Sequence, residues 1–272
     1  MHTCGYLHMW GAMILSWLLA CNSTSTEPLV LAGSSTIRPV VEVIAEAFEA
    51  QHPELRIEVQ GGGSGVGVAS IRSGLAQVGM VSRSLAPDET ELQTHTIAYD
   101  GIALIVHRDN PTEGTTRPEV VAIYTGELRS WPHGGAITGV NKEEGRSTRE
   151  LFARHFGLEG RFRSDLVVIG PNGQAIATVA ADPAAIAYVS IGSALGAVAD
   201  GVEVKLLSLD GIEPTVGAVA SGRYPLSREL NLVTTSEPSG AAADFIAFVR
   251  SPEGQRLVAA ENFVPIADAA AP

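Results

Sequence analysis

The stretch Leu29-Val30-Leu31-Ala32-Gly33-Ser34-Ser35-Thr36-Ile37-Arg38-Pro39 decides how the rest of the chain is read. A short apolar run stops at Gly33, three hydroxyl residues follow, and an amphipathic segment begins near Pro39. That order reads as strand, tight turn, helix. Such a turn sets free backbone N–H groups and the positive end of a helix dipole beside Ser34, Ser35 and Thr36, which is an anion site in outline. The same residues also suit an ordinary βα turn in which Thr36 caps the helix.

Two more turns repeat the design. Pro39–His52 carries Val40, Ile44 and Phe48 at helical spacing, and Arg56–Gln60 alternates like a strand. Gly61-Gly62-Gly63-Ser64-Gly65 then leads into a short helix over Val66–Ser73. The strand Gln77–Val81 runs into Ser82-Arg83-Ser84. Ligands collect outside the carboxyl ends of strands in open α/β sheets. Glycine lets the backbone approach an anion, and hydroxyls donate without adding charge. Ser35, Thr36, Ser64 and Ser82 are therefore candidate ligands, with Arg83 as the fixed positive fork among these turns.

Tyr99-Asp100-Gly101 separates two further predicted strands, Thr94–Ala98 and Ile102–Val106. An ionised Asp only accepts hydrogen bonds, so Asp100 beside an anion favours one that carries a proton, as phosphate does near neutral pH and sulfate does not. The alternative is an Asp-Gly turn. Downstream, the polar run Asn141–Arg149 precedes a helix bearing Leu151, Phe152 and Phe156. Ser147 or Thr148 either caps that helix or faces the same cleft from a second lobe. Helices are expected over Glu119–Leu128, Ala175–Ala181, Ala241–Val249 and Pro252–Ala260. Strands are expected over Ala136–Val140, Leu166–Ile169, Ala185–Val189 and Leu230–Thr235, with Gly222–Ser227 as a return crossing. This alternation makes the class α/β.

A formal net charge of −12 argues against nucleic acid and anionic membrane surfaces as partners, so an anion site here must supply its own donors. Gly62-Gly63-Ser64-Gly65-Val66 misses the nucleophile-elbow pattern, and no Walker A run occurs. The seven histidines form no metal-binding pair, so no metal, cofactor or catalysis is expected. Both cysteines, Cys4 and Cys21, lie near the N-terminus. Residues 1–20 read as a secretory signal, although its first residues carry no Lys or Arg. Leu18-Leu19-Ala20-Cys21 resembles the bacterial lipobox, which implies a lipid on Cys21, a tether over 21–27 and an exported periplasmic or cell-surface lipoprotein.

With these residues in hand, the chain resembles the PstS-like phosphate-binding proteins of bacterial ABC importers. The resemblance rests on Gly33–Pro39, Gly62–Gly67, Val78–Arg83, Ile97–Ala103, Ile123–Gly126 with Trp131, Gly222–Arg228 and Ser251–Gln255, in that order. It implies a two-lobe type II periplasmic binding protein fold with a ligand cleft and two crossover segments. The implied lobes are 28–105 plus 228–272, and 106–227. It implies a monomer that binds inorganic phosphate and hands it to ABC permease subunits, the alternatives being another oxyanion or a signalling role. Ser35, Thr36, Ser64, Ser82, Arg83 and Asp100 fall on its ligand positions. In the second lobe the family usually has Arg-x-x-Gly-Ser-Gly-Thr, where this chain has Lys142-Glu143-Glu144-Gly145-Arg146-Ser147-Thr148. Lys142 puts a point charge where arginine gives a fork, Arg146 either restores the fork or points to solvent, and Ser147 and Thr148 stay as donors.

Overall fold

The structure, a computed structural model, describes residues 1–2 and 27–268. Cys21, with the body of the signal segment and of the tether, lies outside them. The chain opens with β1 (Leu29–Gly33), α1 (Arg38–Gln51), β2 (Ile57–Gly61), α2 (Ser64–Arg72) and β3 (Val78–Val81), close to the bounds that hydrophobic spacing predicts. The long β4 (Gln93–His107) follows, then β5 (Gly114–Thr115), α3 (Arg117–Thr125), β6 (Thr138–Lys142) and α4 (Ser147–Phe156). Next come β7 (Val167–Ile169), α5 (Asn172–Ala181), β8 (Ala185–Ser190), α6 (Ile191–Ala199), β9 (Val204–Leu206), β10 (Ser208–Leu209) and α7 (Val216–Ala220). β11 (Ser227–Thr234), α8 (Gly240–Arg250), α9 (Pro252–Ala260) and β12 (Val264–Pro265) complete the described chain.

The strands run in the order β2-β1-β3-β11-β4-β8-β6-β7, with β9 and β12 also on β4. The wings are parallel: β1 with β2 and β3, and β6 with β7 and β8. The centre is antiparallel, because β11 pairs β3 and β4, and β4 pairs β8. β4 serves both halves. Its residues up to Gly101 pair with β11, and those from Ile102 pair with β8.

Each half has its own apolar core. One gathers Leu31, Ile44, Phe48, Met80, Ile97, Leu232 and Phe245. The other gathers Leu104, Tyr124, Phe152 and Tyr188, extended by Ile105, Val140 and Val189 under α5 and α6. Phe152 stacks on Tyr188 with ring centroids 3.8 Å apart. Each such buried side chain contributes roughly 1.5–3 kcal/mol, so each core supports its half of the sheet.

The expected break at Tyr99-Asp100-Gly101 is absent. Asp100 and Gly101 sit inside β4, opposite Arg228 and Ser227 of β11. Ladder pairing and a charged partner override the turn preference of the Asp-Gly dipeptide. Gly222–Ser227 leads directly into β11, which begins at Ser227. Arg117-Pro118, which punctuates the sequence, opens α3 under a Thr116–Glu119 capping box. α6 and α7 are additional to the expected elements; Ile191–Ala199 is apolar or small nearly throughout, with no charged residue to mark an outer face.

Candidate functional site

The three glycine and hydroxyl turns meet at the carboxyl ends of β1, β2 and β3. Gly33 adopts φ +135°, and a Cβ there would sit 2.3 Å from the Met80 carbonyl oxygen. Gly63, with φ +114°, sets the first turn of α2. Only glycine allows both conformations without strain. Ser34 Oγ donates to Ser82 Oγ at 2.9 Å, and the Thr36 N–H donates to Ser34 Oγ at 3.2 Å. The Ser82 N–H donates to Ser64 Oγ at 3.1 Å. Thr36 does not cap α1; the cap position falls on Ile37, and the Thr36 hydroxyl serves the cleft instead.

At the middle of this ring lies Arg228. Its Nε and Nη2 donate to Asp100 Oδ2 at 3.1 and 2.8 Å, and both side chains are 1% exposed. Nη2 also reaches Thr36 Oγ1 at 3.1 Å, and Nη1 reaches Thr148 Oγ1 at 2.9 Å and Ser82 Oγ at 3.4 Å. One guanidinium thus ties both strands of the crossover to hydroxyls on both sides of the cleft. Sequence reasoning passed over Arg228, although it ends the Gly222–Arg228 motif. Its signal was its place on the return crossing, where a basic residue must face Asp100 if that carboxylate is to be buried.

The second wall is built from β6, α4 and α5. Thr148 and Ser147 are buried in the first turn of α4, and neither caps it, because the cap position is Arg146. The Ser147 hydroxyl has no hydrogen-bond partner. Lys142, at the end of β6, is 3% exposed, and its Nζ is likewise unpartnered. Burial, reinforced by Arg146 and Arg228 and opposed by Glu143, lowers the Lys142 ammonium to a pKa of about 7. Asn172 opens α5 and donates to Thr36 Oγ1 at 3.1 Å and to Ser193 Oγ at 3.3 Å. Asn172 and Ser193 were also missed, since nothing in an Asn or Ser alone signals convergence.

Two expected arginines are engaged elsewhere. Arg83 grips Glu89 with Nη1 and Nη2 at 2.7 and 2.8 Å, and its Nε reaches Glu150 at 3.1 Å. Those two carboxylates use its fork, so Arg83 ties the turn after β3 to α4 instead of facing the ring. Arg146 sends Nε and Nη2 to Glu143 at 3.0 and 2.8 Å, leaving Nη1 to meet Ser35 Oγ at 3.3 Å. It links the walls and does not restore a free fork. The Gly65 N–H adds a backbone link to the Gly145 carbonyl at 3.1 Å.

The chemistry of the ring favours an anion. Thr36, Thr148 and Ser82 spend acceptor capacity on Arg228, which leaves their hydroxyl protons available for donation. Asp100 offsets the charge of Arg228, and Glu143 that of Arg146, whereas Lys142 pairs with no carboxylate among the described residues. A groove of about 440 Å³ lined by Ser35, Asn172, Ser193, Asp200, Glu261 and Phe263 flanks the ring without including Arg228 or Asp100. Among the described residues, no group of three or more His, Cys, Asp or Glu side chains could hold a metal ion.

A sheet whose halves share two crossing strands, with buried donors between them, finds its match in one family profile, the PBP superfamily domain, over residues 21–253. The chain belongs to the PBP superfamily, in its PstS-like branch. The phosphate-binding protein PstS of Bacillus subtilis is 29% identical over 88% of this chain and 81% of its own length. A Clostridium perfringens chain assigned as a phosphate ABC transporter substrate-binding protein, solved with bound phosphate, is 31% identical with a TM-score of 0.82. The match covers 88% of this chain and 99% of that one. A Vibrio cholerae ABC-type phosphate transport receptor is 28% identical, with a TM-score of 0.71 over 87% of this chain and 99% of that one. The two-lobe type II fold expected from the sequence is the fold found. Among the described residues, no helix is long and apolar enough to cross a membrane.

Proposed function

We propose that this chain binds inorganic phosphate as a protonated oxyanion outside the cytoplasmic membrane and delivers it to an ABC permease. The observation that carries the reading is the buried Asp100–Arg228 pair inside a ring of hydroxyls. Arg228 draws the hydroxyl oxygens of Thr36, Ser82 and Thr148 toward itself and orients their protons outward for an anion. Asp100 Oδ1, which accepts from the Gly192 N–H at 3.4 Å, retains capacity to accept the proton that phosphate carries and sulfate lacks.

The ligand set we assign is Ser35, Thr36, Ser64, Ser82, Asp100, Lys142, Ser147 and Thr148, joined by Arg228 and Asn172. Arg83 and Arg146 act as links between the walls. Residues 28–105 with 228–272 form one lobe and 106–227 the other, with the change of partner along β4 supporting that division. The chain acts as an exported monomer held to a membrane by a lipid on Cys21, a reading supported by its lipobox. It is a carrier and not an enzyme: Ser64 hydrogen-bonds to Ser82, and Ser82 also to Ser34 and Arg228, with no histidine among the described residues bonded to either.

Isothermal titration calorimetry with phosphate, sulfate and molybdate tests the assignment. Saturable heat is expected with phosphate and little with sulfate. Strong sulfate binding without phosphate binding overturns it.

A further inference from the structure

The groove beside the ring has no task in holding an inorganic anion, yet it is built onto the ring. Its volume of about 440 Å³ lies within the ~300–1,000 Å³ range of small-molecule pockets. Its inner end is made by residues that bond to the ring or across it. Asn172 donates to Thr36 Oγ1 at 3.1 Å, and the Gly192 N–H donates to Asp100 Oδ1 at 3.4 Å. Ser35 Oγ accepts from Arg146 Nη1 at 3.3 Å. A tetrahedral anion held by the ring therefore has the groove at its side.

Two helix faces form the walls. Asn172, Gly173, Ile176 and Ala177 lie along α5, and Gly192, Ser193, Gly196 and Ala197 along α6. Each set has the spacing of one helix face. A Cβ on Gly173 or on Gly196 would meet nothing within 4 Å, so the space over both glycines is open. Gly192 differs. A Cβ there would lie 2.8 Å from the Phe263 ring, so Phe263 packs on the start of α6 and, with Ile176, gives the groove a buried apolar lining. Charge appears only further out. Asp200 and Glu261 line the groove, and no Lys, Arg or His does. Neither carboxylate has an ion-pair partner among the described residues. At 1.5 Å per residue, Asp200 lies about 10 Å beyond Ser193 along α6.

The order outward from the ring is thus anion donors, an apolar trough, then two carboxylates. We propose that the groove receives the alkyl chain of a phosphonate whose far end carries an ammonium, an inference that rests on the anion-carrier reading given above. The phosphonate oxygens take the ring's donors, the chain leaves past Asn172 and Ser193 and lies over Gly196 and Ala197, and the ammonium meets Asp200 and Glu261. A phosphonate suits Asp100 better than a phosphate ester does. An ester loses its second proton at about pH 6, so near neutrality it brings little to the Asp100 acceptor. Carbon withdraws less charge from phosphorus than an ester oxygen, so a phosphonate keeps that proton to higher pH.

Competitive calorimetry near neutral pH, with the protein first loaded with inorganic phosphate, tests the proposal. The competitors are ω-aminohexylphosphonate, hexylphosphonate, aminoethylphosphonate and the ω-aminohexyl ester of phosphate. Aminohexylphosphonate is expected to displace phosphate and to bind about threefold to tenfold more tightly than hexylphosphonate, the margin that partly exposed ion pairs supply. Aminoethylphosphonate is too short to reach the carboxylates and shows no such gain. Asp200→Asn combined with Glu261→Gln removes the margin and leaves phosphate and hexylphosphonate unchanged. Gly196→Leu fills the trough and places a better helix former in α6. It is expected to weaken both hexyl compounds by at least about tenfold while phosphate binds as before. A wild-type protein that binds phosphate and not aminohexylphosphonate overturns the proposal. So does aminohexylphosphonate binding that Gly196→Leu leaves untouched, or an amine effect that survives loss of both carboxylates. An ester as tight as the phosphonate overturns the choice of phosphonate. Should circular dichroism show Gly196→Leu unfolded, the carboxylate variant and the chain-length comparison still decide. Failure of phosphate itself to bind wild type refutes the carrier reading instead.

Discussion

At the scale of single residues, Arg228 and Asp100 carry the site. Both are shielded from water, so neither charge is tolerable alone. Arg228→Met leaves Asp100 buried and unpaired, and is expected to lower unfolding free energy by about 3–5 kcal/mol. Urea denaturation reads that loss, and adding Asp100→Asn to the same chain is expected to recover part of it. A double variant no more stable than Arg228→Met argues against the pair. Asp100→Asn alone removes the acceptor for a ligand proton while leaving Arg228 and the hydroxyls. Competitive calorimetry is expected to show the preference for phosphate over sulfate narrowing in that variant; an unchanged preference refutes the role given to Asp100. The reading of Asp100 as an acceptor beside an anion was available from its chemistry. The partner that makes its burial possible was not, because Arg228 stands 128 positions away.

At the scale of elements, the strand–glycine–helix turn is a backbone device before it is a binding device. Gly33 brings the end of β1 against the Met80 carbonyl, and Gly67 of α2 packs into the same corner. That approach lets Ser34, Ser64 and Ser82 touch. Gly33→Ala introduces both a clash and an unfavourable φ, and is expected to cost roughly 2–3 kcal/mol of unfolding free energy. Its phosphate affinity is expected to fall too, with calorimetry on the folded fraction as the measure. α1 and α4 lack side-chain caps: Ile37 and Arg146 hold their cap positions, while the hydroxyls of Thr36 and Thr148 nearby meet Arg228. α3, away from the ring, keeps its full capping box.

At the scale of the whole molecule, the two halves of the sheet communicate through β4 and β11 and touch through a few polar links. One of these is Arg83 Nε to Glu150, a partly exposed contact beside the stronger Arg83–Glu89 pair. Glu150→Gln keeps Arg83 on Glu89 and loosens only the link between the walls. A partly exposed ion pair contributes at most about 1 kcal/mol, so the phosphate dissociation constant is expected to rise by no more than about fivefold. A hundredfold rise would mean that Arg83 itself contacts the ligand and that its assignment as a link is wrong.

The sequence by itself determined the α/β class, the three turns and nearly every hydroxyl residue that lines the first wall. These depend on local patterns: apolar spacing selects strand or helix, and glycine with serine at a strand end selects a backbone that can hold an anion. Asp100 was legible in chemistry but misplaced in structure, as a turn instead of a mid-strand residue. Only the tertiary structure decided which of several basic residues faces the site. Arg83 and Arg146 look as suitable as Arg228 in one dimension. Which guanidinium remains for the ring depends on where Glu89, Glu143, Glu150 and Asp100 come to lie, and a charge's partner is set by distance in the folded chain, not by distance along it.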